Sequence, residues 1–186
     1  MSADNTTQLV LALLAFAVVA GAFGWSPYGR AVFAPVSALA LAAAAVVAAV
    51  ADDLSSGRVE TTLLVALSAL LAVVGGGPVT TRIFAFVDRA DRDPGRLQQT
   101  LDQAGLVLRG GAWIGALERL AVFAGLAAGF PEGVAVVLAL KGVGRFPDLR
   151  GDGSGNGAAT ERFIIGTFTS VLWAAACAGM VALVRR

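Results

Sequence analysis

Two runs of this chain, Ala31–Ala51 and Phe163–Val184, contain no charged side chain at all. About 20 apolar residues suffice to carry a helix through the hydrocarbon core of a bilayer. Only helices and closed barrels satisfy their backbone groups in lipid, and runs of this length, apolar throughout, select the helix. The whole chain agrees. Of 186 residues, 57% are hydrophobic and only 15% charged, where soluble proteins carry about 25% charged residues. The expectation is an all-α, polytopic integral membrane bundle.

The remaining apolar stretches set the span count. Gln8–Gly24 resembles a secretory signal but lacks a basic n-region, so it reads as a retained first span. Six spans are predicted in one transmembrane domain covering 1–186: near 8–24, 31–51, 61–78, 110–130, 131–147 and 162–184. Gly75-Gly76-Gly77-Pro78 is expected to end or break the third, because proline removes a helix hydrogen bond. Asp93-Pro94 looks like a helix start. Leu97, Leu101, Ala104 and Leu108 then fall near one face, which predicts a short amphipathic helix over 94–108 lying on the membrane surface. Trp25 and Tyr28 flank a turn suited to the lipid headgroups. Residues 151–157, rich in glycine, read as a flexible linker.

Gly111 with Gly115, and Gly125 with Gly129, have the spacing that lets two membrane helices approach closely. On that basis spans four to six are expected to form the rigid core.

Orientation follows from the basic residues. Arg30, Arg89, Arg92, Arg96, Arg109, Lys141, Arg145, Arg150 and Arg162 fall at one end of a six-span bundle, and Arg58, Arg185 and Arg186 at the other. The positive-inside rule places the richer end in the cytoplasm and both termini outside. The expected location is a bacterial cytoplasmic (inner) membrane.

Several chemistries are excluded. Without histidine there is no histidine-ligated metal and no Ser-His-Asp or Cys-His catalysis. The single Cys177 allows no internal disulfide. No cofactor or metal is called for, and nothing points to nucleic acid.

What remains is a knot of charge in apolar sequence: Glu118, Arg119, Lys141 and Arg145, with Glu161 and Arg162 at the start of the sixth span. Ionisable groups inside membrane helices are costly unless paired or hydrated, which makes them functional candidates. At 1.5 Å per residue, Glu118 lies about 12 Å along its span from Gly110, and Lys141 about 10 Å from Asp148. The two share a depth. Lys141 and Arg145 share a helix face, and Arg82 can join from span three. Glu118 and Glu161 are therefore expected in structural ion pairs, Glu118 with Lys141 or Arg145 and Glu161 with Arg145. Arg119, Lys141, Arg145 and Arg162 are the candidate anion-binding residues.

Three readings follow. The first is a non-enzymatic structural or assembly subunit of a membrane complex, with a membrane-protein partner or second copies. The alternative is a transporter or binder of a small anion or anionic lipid headgroup. The third is an intramembrane enzyme acting on a phosphorylated lipid. The absence of a nucleophile or metal beside Glu118 leans against it, and no catalytic residue is assigned.

The second half also resembles a family of uncharacterised bacterial multi-pass membrane proteins. The resemblance rests on Gly111-x-x-Ile114-Gly115-x-Leu117-Glu118-Arg119, Lys141-x-x-x-Arg145-Phe146, and Glu161-Arg162-Phe163-Ile164-Ile165-Gly166-Thr167 with Ser170. The chain departs from it at Arg162, where family members often carry an aromatic. The resemblance implies a membrane location and a shared charged core, and it brings no reaction.

Overall fold

The computed structural model describes the backbone of residues 3–26, 28–51, 57–90, 94–149 and 156–185. Within these, side chains are described except at 3, 88–90, 94–110, 145–149 and 156–159. The linker predicted over 151–157 lies largely outside that set. The described chain is all-helical, with α1 Ala3–Phe23, α2 Arg30–Val50, α3 Arg58–Ala90, α4 Pro94–Ala127, α5 Glu132–Leu149 and α6 Asn156–Val184. Among the described residues, four stretches are long and apolar enough to cross a membrane: Asp4–Phe23, Arg30–Val50, Arg58–Val87 and Thr160–Val184. This is a membrane protein.

The core lies between α1, α2, α3 and α6. Val10, Leu14 and Ala17 of α1 meet Ala40, Leu41, Ala44 and Ala48 of α2, with Leu71 of α3 and Cys177, Met180 and Val181 of α6 in the same cluster. In lipid, helices are held by packing and interhelical hydrogen bonds rather than by expulsion of water. Alanine at every turn of α2 brings α1 close enough for buried Ser37 to donate to the Ala17 carbonyl at 2.8 Å. The rigid core expected in spans four to six is thus built mainly by the first three helices and α6. α4 adds Phe123 to it. α5 adds none of its core and packs chiefly on α4.

The glycine pairs of span four also have another use. A Cβ on Gly111 would meet nothing within 4 Å, and on Gly115 only the helix's own Arg119. Gly125 and Gly129 belong to the helix terminus. Phe130 N–H donates to Gly125 O at 2.8 Å and Gly129 N–H to Leu126 O at 3.1 Å, with Gly129 at φ 76°. That is a Schellman cap, which wants glycine at its left-handed residue. Arg185 then donates to the carbonyl of Ala127, the last residue of α4, at 2.6 Å. The close glycine approach is found elsewhere, where a Cβ on Gly21 would lie 3.1 Å from the Gly75 Cα.

Two expected boundaries are not helix breaks. α4 runs without interruption through residue 110, so residues 94–108 and the fourth span share one helix. A glycine costs a helix only about 1 kcal/mol, too little to break 34 residues. α3 likewise continues through Gly75–Pro78 for 33 residues. Pro78 meets Gly24 at the end of α1. Residues 79–90 therefore carry α3 about 18 Å past the α1–α2 hairpin, at 1.5 Å per residue.

Candidate functional site

The continuity of α3 has a local explanation. Proline at 78 leaves the carbonyl of Val74 without its helical donor, and a bare carbonyl in lipid costs several kcal/mol. Trp25, from the turn after α1, supplies the bond: its Nε1 donates to Val74 O at 2.9 Å. One residue earlier, Arg119 of α4 donates from Nη2 to Val73 O at 3.1 Å. Trp173 of α6 donates from Nε1 to Leu71 O at 3.1 Å. Three elements thus place a donor on one stretch of α3.

Each of these large side chains fits because a glycine faces it. A Cβ on Gly75 would lie 2.6 Å from the Trp173 ring, on Gly76 2.6 Å from Arg119 Nε, and on Gly77 2.7 Å from the Trp25 ring. The glycines that read as a helix breaker are sockets. Trp25 accordingly belongs to the bundle, whereas Tyr28 is 96% exposed.

Arg119 is 6% exposed. Its Nη2 is engaged with the α3 backbone, while its buried Nε has no hydrogen-bond partner. Beside it on α4, Glu118 accepts a hydrogen bond and ion pair from Lys141 of α5. The pair is mostly buried, at 21% exposure for Lys141 and 17% for Glu118. Lys141 Nζ also stands 5.9 Å from the ring centroid of Phe163 on α6, within cation–π range. One α5 lysine therefore ties α4 to α6.

Between these helices lies a cleft of about 10 Å³, lined by Glu118, Arg119, Val137, Leu138, Lys141 and Ser170. That is room for about one water. Ser170 is buried, and the buried Thr167 hydroxyl makes no hydrogen bond.

Of the residues singled out in the sequence, the structure brings Glu118, Arg119 and Lys141 together. The side chain of Arg145 lies outside the described residues, and with it the pair expected with Glu161, which is itself exposed. Arg162 is half-buried. Arg82 of α3 is half-buried and does not line the cleft. Sequence reasoning missed Trp25, Trp173 and the glycine sockets. Their signal was present in the proline, whose orphaned carbonyl at position 74 demands a donor.

Comparison of the chain with family models, with curated proteins and with solved structures found no match.

Proposed function

We propose that this chain is a non-enzymatic structural or assembly subunit of a membrane complex, acting through the shape of its helix bundle. One observation carries the reading: the carboxylate of the α4–α5 cluster is paired inside the bundle, beside a cleft too small for a ligand. Glu118 is neutralised by Lys141, Arg119 Nη2 donates to the α3 backbone while its buried Nε makes no hydrogen bond, and the cleft between them has room for about one water. An anion site needs space for the ligand as well as a cation. Paired charge buried between helices serves instead to fix which helices meet and in what register.

In this reading six helices cross a bacterial cytoplasmic membrane with both termini outside, and α4 passes from the inner surface into the bilayer without a break. The distribution of basic residues supports the orientation. The family resemblance over residues 111–170 supports the location and a shared charged core.

Purification in mild detergent tests the reading. A stoichiometric membrane-protein partner or a defined oligomer is expected, retained when the pair is reversed by Glu118→Lys with Lys141→Glu. Thermal stabilisation of the wild type by a small anion, abolished by Lys141→Met, would return the cluster to ligand binding.

A further inference from the structure

We propose that Gly75–Pro78 is a hinge in α3, splinted by side chains from three other elements, about which residues 79–90 turn as an arm. The sequence supplies the weak point. Glycine and proline are the poorest helix formers, and four of them stand in a row here. Sharp helix kinks occur at such residues. Thr80 and Thr81 follow, and each hydroxyl donates to the carbonyl four residues back, Gly76 O at 2.8 Å and Gly77 O at 3.0 Å. Back-bonding of this kind weakens and bends helices. Even so, α3 is one helix from Arg58 to Ala90.

What opposes the bend comes from outside α3. Trp173 Nε1 donates to Leu71 O, Arg119 Nη2 to Val73 O and Trp25 Nε1 to Val74 O. All three acceptors lie in the turn before the hinge. The Trp173 ring, the Arg119 stem and the Trp25 ring meanwhile lie against Gly75, Gly76 and Gly77. Each side chain therefore bridges the joint, seated on a hinge glycine and bonded to the turn ahead of it. A change of angle at the glycines moves the seats relative to the acceptors and loses those bonds. The arm has a seat of its own, where a Cβ on Gly166 of α6 would lie 2.9 Å from the Phe84 ring. The ties come from the turn after α1, from α4 and from α6, so the angle of the arm depends on all three being in place. This coupling concerns the shape of α3 and does not rest on the subunit reading.

The test is pulsed electron–electron double resonance on the full-length protein in lipid nanodiscs. Spin labels are attached at Leu39→Cys on α2 and Phe86→Cys on the arm, both exposed positions, while Cys177 is buried and stays unlabelled. The otherwise unaltered chain is expected to give one narrow distance distribution. Trp25→Phe with Trp173→Phe keeps both rings and removes both N–H donors, and should broaden it. Adding Pro78→Ala, which returns a helical N–H to Val74 O, should narrow it again. A control pair across the α1–α2 hairpin, Val19→Cys with Leu39→Cys, should stay narrow throughout. The proposal is overturned by a broad distribution in the unaltered chain, by an unchanged one in the double phenylalanine variant, or by no narrowing with Pro78→Ala. Equal broadening in the control pair overturns it too, because the whole bundle would then have loosened. If the double variant does not fold, Trp25→Phe alone is read in the same way, and an unchanged distribution overturns the hinge.

Discussion

Arg119 reaches from α4 to the carbonyl oxygen of Val73 on α3, at 3.1 Å, through the space that Gly76 leaves by having no side chain. An arginine this buried would strand its charge in a bilayer unless something accepted its protons. The α3 backbone accepts from Nη2, next to the carbonyl that Pro78 orphans, while the buried Nε is left without a partner. The arginine and the glycine are one device, and neither position is independently replaceable.

Gly76→Ala should therefore destabilise the protein. The added Cβ would sit 2.6 Å from Arg119 Nε, and overpacking of this kind costs about 1–3 kcal/mol. Thermal unfolding in detergent should show a lower midpoint. Adding Arg119→Ala to Gly76→Ala should cost less than the two single losses combined, because they remove the same contact.

The Glu118–Lys141 pair should show the same coupling. Stranding one member of a buried pair costs about 3–5 kcal/mol, and the residual exposure of both side chains argues for the lower end. Glu118→Gln and Lys141→Met should each lower the midpoint, and the double variant should recover part of the loss. Additive losses would mean that the two side chains stabilise the bundle separately.

Trp25→Phe removes the donor to Val74 O and should cost about 1 kcal/mol. In a Pro78→Ala background that carbonyl regains a helical donor, so the same substitution should cost less. A double-mutant cycle on unfolding midpoints measures the difference. An equal cost in both backgrounds would separate the tryptophan from the proline.

Orientation is open to labelling, because Cys177 is fully buried and should not react with a membrane-impermeant thiol reagent. Tyr28→Cys should be modified only from the cytoplasmic side of vesicles and Arg58→Cys only from the outer side. The reverse pattern would invert the bundle.

The elements visible in the sequence were those governed by hydropathy. Charge-free runs define α1, α2 and α6 in any context, and helical rise alone puts Glu118 and Lys141 at one depth. The behaviour of α3 was hidden. Whether a helix survives Gly75–Pro78 depends on donors that arrive from residues 25, 119 and 173, at separations of 49, 46 and 102 residues. The spacing of Gly125 and Gly129 was ambiguous in a different way. Small residues four apart serve a close helix crossing and a left-handed cap alike, and only the φ of Gly129 distinguishes them. The core was misassigned because alanine in α2 looks uninformative, although small side chains are what let membrane helices touch.

The three side chains gathered on α3 also impose an order on biogenesis. α3 leaves the ribosome after Trp25 and well before Arg119 and Trp173, so during synthesis its glycine sockets are empty on two sides. Until α4 is made, the segment around Pro78 has one of its three ties, and until α6 is made it has two. A chain truncated ahead of α6 lacks the Trp173 tie permanently, whereas the finished chain completes the set with its last helix.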